Sequence, residues 1–368
     1  MKPPGQGQTR RGVGRRQFLR QALLSGGIAA GLLRKPGSLV LAQTLAGAGP
    51  SKGVPAADQE VMTANADFFV RNHFATQRIR DDAWHLEIGG LVSKPLQLSY
   101  SDLLLMPSVR RPSTLECAGN VSGGGGVGTA DWSGLSLGEL LHQAGLQPGA
   151  TTVVFYGADS GQDEHIAPGT HFVRSIPLEK ALDASTLLAY EMNGEPLPPE
   201  HGFPLRAVVP GWYGMDSVKW LTRVEVLREP FKGYFQDEKY VALGANGESR
   251  TITKMRVSSK FFRPSNGEEI RGVTYRLEGA AWAGERKVAR VEVRVNGGDW
   301  RAATLLSSPV ALIWTRWSYD WHVPATGRYS LEVRATDEDG NSQPAVRDQD
   351  RKDPYELNTS QRIQVTVS

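Results

Sequence analysis

The chain has 368 residues, of which 40% are hydrophobic and 22% charged, a composition ordinary for a globular protein with room for two domains. The formal net charge is +3, but residues 1–42 contain eight Lys or Arg and no acid, leaving 34 basic against 39 acidic residues. That remainder, at about −5, gives no electrostatic reason to expect nucleic acid as a partner.

The basic N-terminal segment has the features of a twin-arginine export signal. An arginine pair at 15–16 precedes a glycine-rich apolar stretch at 22–33, and Val-Leu-Ala at 40–42 suits a cleavage site. The stretch is short and flanked by basic residues, so we expect no stable membrane span. The sequence therefore predicts a signal peptide over 1–42 and a periplasmic mature protein.

From about residue 58 to 227, short strands and short helices alternate with Gly and Pro turns. Strands are predicted over 84–88 and 151–156, and helices over 101–106 and 135–144. Ser136 can cap the second helix, and Gly145 can end it. This half is therefore predicted to be mixed α and β.

From about residue 255 onward, strand patterns recur between turn residues, without helices. The predicted strands are 273–277, 288–295, 311–317, 329–335 and 362–367. Regular short strands of this kind favour an antiparallel β-sandwich of immunoglobulin-like size. Residues 230–247 would connect the halves and belong to neither core.

Cys117 is the only cysteine, which excludes an internal disulfide. It lies in Thr-Leu-Glu-Cys-Ala-Gly-Asn, whose small residues let a bulky group approach the backbone. An inert thiol, a reactive nucleophile and a soft metal ligand all remain open. The export signal favours the metal ligand, because the twin-arginine route carries proteins already folded, often around a cofactor.

Three other segments of the first half are rich in cations and hydrogen-bond donors. They are Arg-Asn-His at 71–73, His-Gly-Phe-Pro-Leu-Arg at 201–206 and Ser-Val-Lys at 217–219. Such groups suit an anionic ligand that carries a phosphate and several ring nitrogens. Each segment alone is a weak signal, because a single histidine is more often structural.

Gly123, Gly125 and Gly128 match a dinucleotide-binding fingerprint, which gives a rival hypothesis. That fingerprint needs a preceding strand, a helix at the last glycine and an acid about twenty residues later. Residues 115–120 have a poor strand pattern, and 129–134 are turn-like. We therefore expect a mobile or close-packed glycine loop beside a metal pocket.

Together these segments resemble the sulfite oxidase family of molybdopterin-dependent oxidoreductases. The resemblance rests on Phe-Phe-Val-Arg-Asn-His at 68–73, Cys-Ala-Gly-Asn at 117–120 and the run at 188–221. It implies an α+β fold, a mixed α/β molybdopterin-binding domain followed by an immunoglobulin-like dimerisation domain, and hence a homodimer. The predicted parts are a catalytic domain at 58–228, a linker at 229–254 and a dimerisation domain at 255–368.

The resemblance also implies roles for single residues. Cys117 would bind molybdenum, and Tyr240, in the linker, would lie in the active site. Arg71 would reach the substrate anion, and the second domain would contribute Arg362. The molybdopterin would be held by Phe69, Val70, Arg71, Asn72, His73, Cys117, Asp159, His201, Arg206, Ser217, Val218 and Lys219.

The reaction that the resemblance implies is oxygen-atom transfer to a small sulfur oxyanion such as sulfite. A single cysteine rules out Cys-x-x-Cys-His haem attachment and a cysteine-bound iron–sulfur cluster. We therefore expect the electrons to pass to an external acceptor such as a periplasmic cytochrome c, with molecular oxygen a poor one.

Two departures from the family pattern bear on the substrate. Sulfite oxidases usually follow Cys-Ala-Gly-Asn with two arginines, whereas this chain has Val121 and Ser122. Asp-Pro-Tyr-Glu-Leu-Asn at 353–358 stands where the family usually has Trp-Asn and a following glycine. Two alternatives stay open: a sulfane dehydrogenase-like subunit of a thiosulfate-oxidising system, and a non-catalytic exported binding protein.

Overall fold

The computed structural model describes residues 61–163 and 165–368. The predicted signal peptide at 1–42 and the first residues of the predicted catalytic domain lie outside these ranges. Within them, no helix has both the length and the apolar character that crossing a membrane requires.

In its described residues, the first half contains two sheets and three short helices. Its strands are β1 (His85–Gly90), β2 (Leu96–Ser99), β3 (Val109–Glu116), β4 (Val127–Ser136), β5 (Thr152–Asp163), β6 (Ile166–Pro177), β7 (Leu187–Met192), β8 (Glu195–Pro196), β9 (Arg206–Val208) and β10 (Leu221–Leu227). Its helices are α1 (Tyr100–Leu105), α2 (Leu137–Ala144) and α3 (Leu178–Leu182), with 3₁₀ turns at Pro199–His201 and Gly214–Asp216.

One sheet of this half has the strand order β2-β1-β10-β5-β6, and the other has β3-β4-β7-β8 with β9 paired to β7. The β1–β10 pair is parallel and its neighbours are antiparallel. Leu86, Phe155 and Val224 come from the first sheet and pack with Leu137 of α2 in one core. The mixed α and β character predicted for this half is confirmed.

Helix α2 shows how local sequence sets these elements. The Ser136 hydroxyl accepts a hydrogen bond from the Glu139 backbone N–H, and Gly145 ends the helix with a φ of 72°. Both caps are as predicted. The helix begins at Leu137 rather than 135, because the preceding residues complete β4.

The glycine-rich segment lies in a β-hairpin. Strand β3 runs to Glu116 and β4 begins at Val127, so residues 117–126 form the connecting loop. The turn expected at 129–134 was therefore wrong, whereas of the segment 115–120, predicted to be a poor strand, only Leu115 and Glu116 belong to β3. Both faces of this hairpin are buried around Leu115 and Trp132, which removes the alternation that marks a half-buried strand. No helix opens at Gly128, which excludes the dinucleotide-binding hypothesis.

The second half is a β-sandwich, preceded in the chain by β11 (Val241–Leu243) and β12 (Ser249–Thr251). Its strands are β13 (Ser258–Arg263), β14 (Glu269–Ile270), β15 (Thr274–Trp282), β16 (Val288–Val295), β17 (Arg301–Ala302), β18 (Thr304–Leu305), β19 (Thr315–His322), β20 (Gly327–Asp337) and β21 (Gln361–Val367). The sheets have the orders β13-β15-β19-β18 and β14-β21-β20-β16-β17. Leu277, Trp317 and Leu331 pack between them, as a sandwich core requires.

Two details of the sandwich differ from the sequence expectation. The strand predicted at 311–317 begins only at Thr315, since the residues before it form a turn in which Leu312 has a φ of 71°. Strand β13 was missed, because Ser-Ser-Lys-Phe-Phe-Arg places its only two apolar residues side by side.

The connection between the halves is partly buried. It contains a π-helical turn at Tyr234–Lys239 and a hairpin of β11 (Val241–Leu243) and β12 (Ser249–Thr251). Phe235 is 3% exposed and Tyr240 6%, and both belong to the core of the first half. The expectation that 230–247 belongs to neither core was wrong. The domain bounds themselves stay a prediction.

Candidate functional site

A cavity of about 710 Å³, counted with the space at its open mouth, lies in the first half. It is lined by Phe68, Phe69, Arg71, Asn72, His73, Leu115, Cys117, Ala118, Asp159, Phe172, His201, Arg206, Gly214, Met215, Ser217, Val218, Lys219, Trp220 and Tyr240. The structure therefore gathers most of the predicted site residues around one space. Val70 is an exception, since its side chain is 49% exposed and does not line the cavity.

Cys117 follows directly on the end of β3 and is half-buried in the cavity wall. Its backbone N–H donates to the Gly126 carbonyl at 2.8 Å, and its own carbonyl accepts from the Asn120 N–H at 2.8 Å. Burial raises the pKa of the Cys117 thiol, whereas the charge of Arg71 lowers it. A thiolate here therefore needs a further positive charge close to the sulfur.

Glu116 secures the loop that carries Cys117. Its buried carboxylate accepts from the Trp282 indole N–H at 2.9 Å and from the Asn120 side-chain amide at 3.1 Å. The Asn120 Oδ1 atom accepts from the Gly126 N–H at 2.9 Å, which closes the loop on itself. Burial raises the pKa of Glu116 to about 7. Glu116 was not predicted as a site residue, because its partner Trp282 lies 166 residues further along the chain.

Arg206 is the most deeply buried cation of the cavity, with 5% of its surface exposed. Its guanidinium donates to the carbonyl oxygens of His201 at 3.0 Å and Ser217 at 2.9 Å, and lies over the Trp132 ring. Burial lowers its pKa to about 9. Among the described residues no carboxylate forms an ion pair with it.

Lys219 adds a second positive charge. Its ammonium donates to the Asn72 side-chain oxygen and, at 2.8 Å, to the Glu200 carbonyl. Burial, and after it the charge of Arg206, lower the pKa of Lys219 to about 7. The charges of Asp159 and Glu200 act in the opposite direction, but among the described residues neither carboxylate forms an ion pair with Lys219.

His201 and Asp159 also face the cavity from buried positions. The His201 Nε2 atom lies 3.0 Å from the Asn65 carbonyl oxygen, and burial lowers the pKa of the imidazole. Burial raises the pKa of Asp159 to about 6, and its Oδ1 atom is buried without a hydrogen-bond partner in the described part of the chain. Such an orphaned acceptor indicates that a ligand with N–H or O–H donors completes the site.

Tyr240 and His73 form a hydrogen-bonded pair in the cavity wall. The Tyr240 hydroxyl lies 2.6 Å from His73 Nε2, and the His73 ring stacks on Phe172. Burial, and after it the neighbouring Cys117, raise the pKa of Tyr240 well above its ordinary value. The tyrosine is therefore a neutral hydrogen-bonding group beside Cys117. Phe172 was not predicted, since nothing local marks a strand phenylalanine as a cavity residue.

The residues that replace the family's arginine pair bring no charge to the cavity. Val121 is 58% exposed, and the Ser122 hydroxyl donates to the Leu357 carbonyl at 3.1 Å and lies 2.7 Å from the Thr359 hydroxyl. The Ser122 side chain is thus bound to the C-terminal segment of the sandwich.

The structure does not bring Arg362 to the cavity, which corrects its predicted position. Its guanidinium pairs with Glu332 on the neighbouring strand β20 at 3.0 Å, and its side chain is 59% exposed. Side chains alternate along β21, so Gln361 faces the loop at Gly123 while Arg362 points to the other face.

The chemistry of the lining fits a metal held within a large anionic cofactor. Among residues 61–163 and 165–368, no group of three or more His, Cys, Asp or Glu could hold a metal. A metal at Cys117 would therefore take its other ligands from the cofactor. The unpaired cations and the orphaned Asp159 oxygen provide partners for phosphate and ring N–H groups.

Two family models match the chain. The oxidoreductase molybdopterin binding domain matches residues 73–235, and the Mo-co oxidoreductase dimerisation domain matches residues 249–351.

Two relatives and one solved structure show how far the similarity extends. Mitochondrial sulfite oxidase of Homo sapiens is 36% identical over 321 residues, which are 78% of this chain and 58% of that protein. Sulfite oxidase of Gallus gallus is 32% identical over 345 residues, 84% of this chain and 74% of that protein. The sulfane dehydrogenase SoxCD of Paracoccus pantotrophus superposes with a TM-score of 0.74 at 29% identity, covering 83% of this chain and 81% of that one.

Proposed function

The chain belongs to the sulfite oxidase family of molybdopterin-dependent oxidoreductases, and from this we propose that it oxidises a small reduced sulfur oxyanion, with sulfite as the first candidate. Membership of this family implies that the chain binds the molybdenum cofactor. The observation that supports the proposal most is Cys117 in the wall of a cavity that Arg206 and Lys219 make positive.

When bound, the molybdenum cofactor supplies the oxygen atom and accepts two electrons. The protein's contribution is binding and orientation. Cys117 would hold the metal, and Arg206 and Lys219 would hold anionic groups of the pterin. Arg71 would pair with the substrate anion, and the Tyr240 hydroxyl, fixed by His73, would donate a hydrogen bond to a reacting oxygen.

The electrons would pass to a separate one-electron carrier such as a cytochrome c.

We further propose that the protein is periplasmic, exported through the predicted signal at 1–42, and that it forms a homodimer through the region matched at 249–351. Export is tested by replacing the arginine pair at 15–16 with lysines and fractionating the cells. Light scattering that gave the mass of one chain would contradict the dimer.

A second candidate is a sulfane dehydrogenase-like subunit. Two observations favour it: the match to a sulfane dehydrogenase structure and the absence of charge at Val121 and Ser122. Such an enzyme would oxidise sulfane sulfur rather than free sulfite.

The test is an assay of purified, molybdenum-loaded protein with cytochrome c as the acceptor. We expect about one molybdenum per chain, sulfite-dependent reduction of cytochrome c and slow turnover with oxygen alone. Activity on a sulfane adduct without activity on sulfite would select the second candidate. Loaded protein inert towards both would contradict the proposal, and protein that takes up no molybdenum would favour a non-catalytic binding protein.

A further inference from the structure

Residues 351–358, which we call the mouth segment, pack against two residues of the cavity wall, Tyr240 and Ala118. The Tyr355 ring centroid lies 5.2 Å from that of Tyr240, a cavity residue. A Cβ placed on Gly119, two residues after Cys117, would lie 4.0 Å from Tyr355 Cδ1. The Tyr355 ring therefore lies against both the Cys117 loop and the active-site tyrosine.

The mouth segment is fixed at the residue after this tyrosine. Glu356 has a φ of 53°, a left-handed conformation uncommon for a residue with a side chain. Its N–H donates to the Ala118 carbonyl at 2.9 Å, and its buried carboxylate pairs with Arg250, Arg256 and Arg351 at 2.8 to 3.0 Å. A strained backbone persists where its surroundings over-determine it, often at functional sites. Tyr355 is thus held in place by its neighbour.

The charge around Tyr355 is low for a site that binds a multiply charged anion. Arg71 is close enough for its charge to lower the pKa of both Cys117 and Tyr240. The Tyr355 ring lies beside that of Tyr240, and the charge of Arg71 lowers the pKa of Tyr355 as well. Ser122, where the family usually has an arginine, is bound to Leu357 and Thr359. One guanidinium and two aromatic rings are therefore gathered beside the Cys117 loop.

This combination matches a singly charged sulfur oxyanion better than a more highly charged one. An organic sulfinate carries two oxygens, which one guanidinium can bind through two parallel hydrogen bonds. Its third substituent is a carbon group, which an aromatic face can cover. Sulfite carries a third oxygen at that place, and an aromatic ring face cannot pair with it.

We propose that Tyr355 is a specificity-determining residue whose ring covers the organic substituent of a sulfinate, so that the site oxidises organic sulfinates in preference to sulfite. This inference rests on the proposed function. The sulfinate and one water give the sulfonate, two protons and two electrons. One sulfur–oxygen bond forms at the sulfur lone pair, the protons go to solvent, and two molecules of a one-electron acceptor such as ferricytochrome c are reduced.

The test compares kcat/KM for benzenesulfinate and for sulfite, using full-length, molybdenum-loaded wild type and the variants Y355F, Y355A and Y355R. The wild type should prefer benzenesulfinate, and Y355F should keep that preference because it keeps the ring. Y355A should lower kcat/KM for benzenesulfinate about tenfold, mainly through KM. Y355R should shift the ratio about tenfold towards sulfite. Y319A, which changes a half-buried sandwich tyrosine, is the matched control.

Binding of the product gives a readout independent of turnover. Calorimetry with benzenesulfonate and with sulfate should show that Y355A weakens the first about tenfold and leaves the second unchanged. A wild type that prefers sulfite, or ratios and sulfonate affinities that do not move in Y355A and Y355R, would overturn the role of Tyr355. Loaded wild type that oxidises neither compound would instead contradict the proposed function, and sulfonate binding would still decide whether Tyr355 contacts the ligand.

Discussion

At the residue scale, the cavity keeps positive charge where solvent cannot stabilise it. Arg206 donates only to backbone carbonyl oxygens, and Lys219 to an amide and a carbonyl oxygen. A buried charge without a counter-ion is destabilising by several kcal/mol. Because an anionic ligand removes that penalty, these two residues tie the stability of the fold to occupation of the site.

Replacing Arg206 by Lys should lower cofactor content about tenfold, although the charge is kept. The planar guanidinium spans the carbonyls of His201 and Ser217, and a single ammonium cannot bind both with the same geometry. Molybdenum and pterin analysis of purified protein measures the effect, with Arg276→Lys on the sandwich surface as the control. Arg206→Lys with full cofactor content and an unchanged melting temperature would contradict this role.

Lys219 should make the stability of the cofactor-free protein depend on pH. Burial lowers its folded pKa to about 7, whereas in the unfolded chain it titrates near its ordinary value of 10.5. Between these values the unfolded chain binds more protons, so this group makes the free energy of unfolding rise as the pH rises.

Urea unfolding of wild type and Lys219→Gln, at several pH values from about 6.5 to about 9.5, isolates this contribution. The variant should show a smaller rise across the window, since glutamine does not titrate. Parallel curves for the two proteins would mean that Lys219 stays fully charged in the folded state.

At the element scale, the β3–β4 hairpin determines where the Cys117 thiol lies. Side chains of the hairpin itself fix the conformation of the loop that connects its two strands. Glu116 ends β3, and its carboxylate bridges Asn120 in the loop and Trp282 in β15 of the sandwich. The orientation of the Cys117 loop therefore depends on a contact between the two halves of the chain.

Glu116→Ala should lower the free energy of unfolding by about 2–3 kcal/mol, because it leaves the buried Trp282 indole N–H and the half-buried Asn120 amide without their acceptor. Glu116→Gln should cost less, since its amide oxygen still accepts one of those bonds. Urea denaturation compares both with Glu87→Ala, a half-exposed strand position. A loss for Glu116→Ala no larger than for Glu87→Ala would show that the bridge is unimportant.

Sequence patterns correctly predicted the features whose stabilising contacts lie close together in the chain. The caps Ser136 and Gly145 were correct because their partners lie within a few residues. Strand β3 and the start of β4 were not recognised, because burial on both faces hides the period of two. Motif resemblance found the cavity residues, but Glu116 and Tyr355 act through contacts more than a hundred residues away, which no local window contains.

At the scale of the whole molecule, the sandwich completes a site that the first half begins. Trp282 reaches Glu116 from β15, and the mouth segment reaches Ala118 and Tyr240 from the connection between β20 and β21. The match to a dimerisation domain, residues 249–351, covers Trp282 and ends where the mouth segment begins. We infer that the second half supports the active site as well as subunit contact.

The most direct test of the central proposal is X-ray absorption at the molybdenum edge, on wild type and Cys117→Ser protein loaded with cofactor. If Cys117 binds the metal, the variant should lose one sulfur neighbour and gain one oxygen or nitrogen, and its turnover should fall below detection. An unchanged sulfur shell together with normal turnover would contradict the metal-ligand role of Cys117.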